Sequence, residues 1–170
     1  PLAKYVALWE LVGHQVDASI ALRIAMQTDS SAFGAYGHAL RSAPNMQLVL
    51  RSLSHFFVTV SDATRVEVAC ESQQVSVCYQ ITDPRIVLRR QDAEFSIGMV
   101  LSLLREVTGN PQLVPLRMDF EHAAPTDLTL HREVFKCALY FNQPDNRAYF
   151  SLDLLNMPVR TGDPRLFKAL

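Results

Sequence analysis

Cysteine is scarce, and what there is does not pair. The 170 residues include three cysteines, Cys70, Cys78 and Cys137, an odd count with no Cys-x-x-Cys spacing. That excludes a disulfide framework and a cysteine-built zinc site. It leaves three small core hydrophobes in a reducing cytoplasm. An excess of charge of either sign is also missing. Lys+Arg is 16 and Asp+Glu is 17, a net charge of −1, so there is no basic footprint for nucleic acid or an anionic membrane. No apolar run approaches the ~18 residues a transmembrane helix needs. The five histidines, His14, His38, His55, His122 and His131, never pair at helical spacing, and no His-Glu-x-x-His occurs. Neither a metal nor a cofactor is expected. Gly-x-Ser-x-Gly, Gly-x-Gly-x-x-Gly and the phosphate-loop pattern are absent too. The chain begins at Pro1 with no methionine or signal peptide, which reads as a segment cut from something longer.

What is present is globular: 49 % hydrophobic and 19 % charged residues, without repeats, low complexity or an internal linker. We read one domain over residues 1–162, with 163–170 as the start of an exit helix. Leu2, Val6, Trp9 and Val12 recur at helical spacing, and Gly13 is the expected stop. Asp17 caps a short helix from Ala18 to Met26. The small residues of Ser30–Ala39 suggest irregular or extended chain lying close against another backbone. Ser42-Ala43-Pro44 reads as a helix start with Ser42 as N-cap, the helix running to about Phe57.

Alternation predicts strands over Val66–Cys70 and Val75–Ile81, and their four-residue polar link makes an antiparallel hairpin. Asp92 is placed to cap a long helix from Ala93 to Val107, stopped by Gly109 and Pro111. Val114–Phe120 reads as a strand, and Pro115 suggests that it lies near an edge. Cys137–Phe141 and Ala148–Leu152 flank a loop rich in turn residues and read as a second hairpin. Asp163-Pro164 opens a last helix. The fold class is therefore α+β: an antiparallel sheet of about five strands, with N-terminal helices and one long central helix packed on it.

The residues offer little chemistry. Cys78, a histidine and Asp83 assemble a hydrolase only on paper, since a buried strand cysteine is inert. Arg85, Arg89 and Arg90 form the densest basic cluster. It is either a solvated loop or a partner for an anionic group.

A longer pattern does carry information. It begins with Leu8-Trp9-Glu10-Leu11-Val12 and Asp17-Ala18-Ser19-Ile20-Ala21-Leu22-Arg23. Gly37-His38-Ala39-Leu40-Arg41-Ser42-Ala43-Pro44-Asn45-Met46 and Leu50-Arg51-Ser52-Leu53 follow. Then come Leu103-Leu104-Arg105-Glu106-Val107-Thr108-Gly109 and Arg117-Met118-Asp119-Phe120-Glu121-His122-Ala123-Ala124-Pro125. Phe135–Asn142 and Leu152–Val159 complete it. In this order and spacing the chain resembles the N-terminal, arabinose-binding-domain-like sensor region of AraC/XylS-type bacterial transcription regulators. Ile20-Ala21-Leu22 departs from that family's more frequent Gly-Leu step, and the leading part of the family domain is missing.

The resemblance implies a cytoplasmic, non-enzymatic sensor that binds a small-molecule effector and forms a homodimer. DNA would be reached only through a C-terminal helix-turn-helix domain outside this chain. It also implies a structural role for His122 within its turn, stiffened by Pro125. Aromatic and basic positions supply the candidate effector-binding residues: Trp9, Phe57, Tyr79, Arg89 and His122. The alternatives are a ligand-free dimerisation module and a small hydrolase using Cys78.

Overall fold

The computed structural model describes residues 2–56 and 63–169, Phe56 by its backbone alone. Its axis is a long helix at Arg90–Thr108, here α5. Ile97, Leu101 and Leu104, at three- and four-residue spacing, are fully buried on it. α1 (Leu2–Gln15) and α2 (Ile20–Gln27) pack against α5, and so does the sheet. The helix ends as expected: Gly109 has φ 62°, and its N–H reaches the Arg105 and Glu106 carbonyls. The start differs. α5 begins at Arg90, so Asp92 is not the cap but a first-turn residue with its carboxylate turned to the Tyr79 hydroxyl.

Gly13 does not stop α1. A Cβ there would lie 2.5 Å from Gln91 Nε2, so the glycine makes room for the Gln91 side chain. Gln91 ties three helices together: its N–H donates to Glu10, its Nε2 to the Ala18 carbonyl, and its Oε1 accepts from Ala21 N–H.

The small-residue stretch is helical rather than extended. A 3-10 turn at Ser30–Phe33 leads into α3 (Gly34–Ser42). The close backbone approach is nevertheless there. A Cβ on Gly37 would lie 1.7 Å from the Ser30 carbonyl oxygen, and burial of Gly37 and Leu40 offsets the low helix propensity of glycine. Ser42 therefore ends α3, its Oγ donating to the Ala39 carbonyl. α4 (Met46–Phe56) follows, and Asn45 is its cap, accepting from Leu48 N–H at 2.9 Å.

Five strands form one sheet in the order β1-β2-β5-β3-β4: β1 (Thr64–Cys70), β2 (Gln74–Ile81), β3 (Arg117–Asp119), β4 (Ala138–Tyr140) and β5 (Asn146–Ser151). β1 and β2 make the expected antiparallel hairpin, with Cys70 opposite Val75. The second hairpin does not form. β3 lies between β5 and β4, antiparallel to β5 and parallel to β4, so the sheet is mixed. The turn-rich loop bonds to the segment after β3 instead. Asn142 N–H donates to the His122 carbonyl and Gln143 N–H to that of Phe120. β3 is shorter than the alternation suggests and is not an edge strand. Pro115 lies before its first paired residue, where a missing N–H breaks no ladder.

α6 (Thr129–Phe135) and a 3-10 turn at Leu152–Asn156, neither evident from the sequence pattern, cover the end of the core around Phe120, Phe135, Phe150 and Leu154. α7 (Pro164–Ala169) is capped by Asp163, whose Oδ1 accepts from Arg165 and Leu166 N–H. Among the described residues no helix is long and apolar enough to cross a membrane.

Candidate functional site

A cavity of about 500 Å³ lies between α5, the β1–β2 hairpin and the N-terminal helices. That is within the usual range of small-molecule sites, roughly 300–1,000 Å³. α5 presents Asp92, Phe95, Ser96, Met99 and Leu103 to it, spaced as one helical face. Tyr79 and Val66 come from the hairpin and Tyr5 from α1. The chain around Ser30 and α3 contributes Ser30, Phe33 and Tyr36.

The lining is mainly apolar, and of its polar residues Asp92, Tyr79, Ser30 and Thr64 are buried. Tyr79 Oη donates to Asp92 Oδ2 at 2.5 Å, with both residues less than 5 % exposed. Burial pushes the Asp92 carboxyl above its ordinary range. The Tyr79 hydrogen bond pulls the other way, and the nearby Glu10 carboxylate adds to the rise. Burial also raises the Tyr79 and Tyr36 phenols, so both stay protonated donors. Tyr36 Oη donates to the Leu53 carbonyl at 3.1 Å. Ser30 Oγ is buried without a hydrogen-bond partner among the described residues.

The sequence candidates fall in two places. Tyr79 lines the cavity. Trp9 stands behind it, its ring 5.5 Å from that of Phe95 and edge-on to Tyr5 at 5.9 Å. Arg89 and His122 lie elsewhere. Arg89 forks onto the Glu121 carboxylate at 2.7 and 2.8 Å and donates to the Ile81 carbonyl, a bidentate pair that uses the whole guanidinium face. His122 Nδ1 bonds the Ala123 carbonyl within its own turn, at 2.9 Å. Phe57 lies outside the described residues.

His122 belongs to a second buried cluster. Glu94 Oε1 is 3.0 Å from His131 Nε2 and 3.5 Å from His122 Nε2, while Arg90 Nε is 3.9 Å away. Burial holds the His122 imidazole below its ordinary range. This cluster joins α5 to α6 and to the turn after β3. Among the described residues no group of three or more His, Cys, Asp or Glu is arranged to hold a metal ion.

Sequence reasoning missed Asp92, Tyr5, Phe33 and Tyr36 as site residues. Asp92 had a plausible local role as a helix cap. The signal that could have found it is its spacing: Asp92, Ser96, Met99 and Leu103 share one face of α5. Cys78 is packed in the core. It is 1 % exposed, and burial, with Asp145 beside it, pushes its thiol up to about 12.

The sequence profile described as "Arabinose-binding domain of AraC transcription regulator, N-term" matches residues 1–159. The chain belongs to this family. Its fold is also that of a solved structure, the transcriptional regulator CdpR from Pseudomonas aeruginosa, with a TM-score of 0.74 at 20 % sequence identity. The match covers 96 % of this chain and 53 % of that one, so the chain spans about half the length of that regulator. A comparison with curated proteins finds no match. In this chain most of the cavity lining comes from α5 and the N-terminal helices.

Proposed function

We propose that this domain is the effector-sensing and dimerising part of an AraC-type transcription regulator. A small molecule occupies the cavity, and its binding biases DNA binding by a separate C-terminal domain. The observation that carries this reading is the cavity itself. It is about 500 Å³, mainly apolar, and holds a buried Tyr79–Asp92 pair and a Ser30 hydroxyl that has no hydrogen-bond partner among the described residues. A ligand-free dimerisation module would have a filled core there. A hydrolase would need a reactive group, and the Cys78 thiol, up at about 12, is not one.

The mechanism is a population shift. An effector that binds one arrangement of the domain better than another displaces the equilibrium by that difference, typically about 1–3 kcal/mol. A route to the C-terminal end exists through α3, which lines the cavity with Tyr36 and Leu40. The last two carbonyls of α3 hold the chain leading to α7: Arg41 O accepts from Thr161 Oγ1 at 2.6 Å, and Ser42 O from Asp163 N–H at 2.9 Å. Order imposed on α3 by a ligand is therefore felt where α7 begins.

The test is thermal unfolding of the domain against a metabolite library, with native mass spectrometry for a carried ligand. A molecule that binds only the folded state stabilises it by about 2.7 kcal/mol at a hundredfold excess over its dissociation constant. One chemical class raising Tm supports the sensor reading. No shift from any class, and no retained ligand, overturns it. Size-exclusion chromatography with light scattering tests the dimer.

A further inference from the structure

This inference rests on the cavity being the effector site, and it concerns the charge of what enters. Among the described residues that line the cavity none is Lys, Arg or His. The residues outside the description, Pro1, 57–62 and Leu170, carry no such side chain either. The polar end is instead negative. Asp92 is 4 % exposed there, and the Glu10 carboxylate on α1 stands close enough to act on it. The other titratable groups facing Asp92 are the Tyr79 phenol on β2 and the Tyr5 phenol on α1, both uncharged at neutral pH.

A carboxylate ligand would bring its negative charge up against the buried Asp92 carboxyl, with no Lys, Arg or His among the described lining residues to pair it. A cation would do the opposite. It would give Asp92 a counter-charge that no described residue supplies and lie near the rings of Tyr5 and Phe95, whose faces attract positive charge. Ser30 adds an independent sign of a ligand. Its hydroxyl is buried and unpartnered among the described residues, and its backbone N–H bonds Glu106, several turns along α5 from Asp92. The geometry points to an apolar amine as the effector, its ammonium paired with Asp92 and its hydrocarbon body running along Phe95, Met99 and Leu103.

The experiment compares three ligands with one body and different heads: 4-phenylbutylamine, 4-phenylbutanol and 4-phenylbutanoate. Each is titrated into the domain and followed by Tm and by the fluorescence of Trp9, whose ring lies 5.5 Å from that of Phe95. The amine is expected to bind at least tenfold more tightly than the carboxylate, with the alcohol between them. In Asp92→Asn the preference for the amine over the alcohol should vanish. In the unaltered domain, amine affinity should fall as the pH is lowered and Asp92 takes up its proton, a readout that survives even if the variant fails to fold. Ser96→Phe, which fills the cavity, should abolish binding of all three. A carboxylate that binds as tightly as the amine, or an amine affinity indifferent to both Asp92→Asn and pH, overturns the amine and leaves the sensor reading standing. Binding by none of the three also overturns the amine, and the sensor reading then rests on the library screen alone.

Discussion

Glu94 Oε1 lies 3.0 Å from His131 Nε2, and neither side chain is exposed to solvent. The pair links the first turns of α5 to α6, with Arg90 and His122 at its margin. Removing the Glu94 side chain takes from the buried His131 ring the polar neighbour it faces, a loss of about 1–3 kcal/mol. Glu94→Ala should destabilise the domain by that amount in urea unfolding, and Glu94→Gln by less. A loss below about 1 kcal/mol for Glu94→Ala would mean that the cluster contributes no structural cohesion.

His122 gives stability a pH dependence. Burial keeps its imidazole below the ordinary 6.5, so the unfolded chain binds this proton more readily than the folded one. Its contribution is complete above pH 6.5 and is lost as the pH falls from there to the depressed value. Glu94 and Arg90 from α5 and His131 from α6 face it across the same cluster. Denaturation midpoints measured from pH 7.5 to pH 5 should fall less steeply in His122→Phe. Identical slopes would remove His122 from the account.

The cysteines should differ in reactivity. Cys70 is exposed, while burial raises the Cys78 thiol to about 12 and that of Cys137 to about 11. Iodoacetamide at pH 7.5 should label Cys70 first and leave Cys78 intact in the folded domain, as read by peptide mass spectrometry. Labelling of Cys78 at the rate of Cys70 would place a reactive thiol where the structure has a packed one.

Ligand binding should reach α7. Any molecule that raises Tm should slow hydrogen exchange in α3 and also at Asp163, whose N–H donates to the Ser42 carbonyl. Thr161→Val, which removes the bond to the Arg41 carbonyl, should leave affinity within about twofold and weaken the protection at Asp163. Protection confined to the cavity walls would rule out the route through α3.

How much was legible in the sequence depends on how local each cause is. The β1–β2 hairpin, the Gly109 end of α5 and the Asp163 cap of α7 follow from alternation, a left-handed glycine and an Asp-Pro start, all within a few residues. The small-residue stretch misled because glycine and serine disfavour helix in isolation, while here Gly37 packs on the Ser30 carbonyl. Ser42 looked like a cap, but the Asn45 side chain was the better-placed acceptor.

Strand partners and the site were not legible. Alternation marks β3, β4 and β5 as strands without saying that β3 inserts between the other two. That choice is made by bonds from Asn142 and Gln143 to a segment about twenty residues earlier in the chain. Arg89 offered a free cation in sequence and forks onto Glu121 in space. Phe95, Met99 and Leu103 read as core because a helix face looks the same whether it meets side chains or a void. By itself the sequence determined the α+β class, the long helix and the family, since these rest on periodicity and ordered motifs. Only the tertiary structure decided that α5 stands off from the hairpin to leave a cavity, and that Asp92 turns into it rather than capping its own helix. Both depend on packing between residues far apart in the chain, and no local spacing encodes that distance.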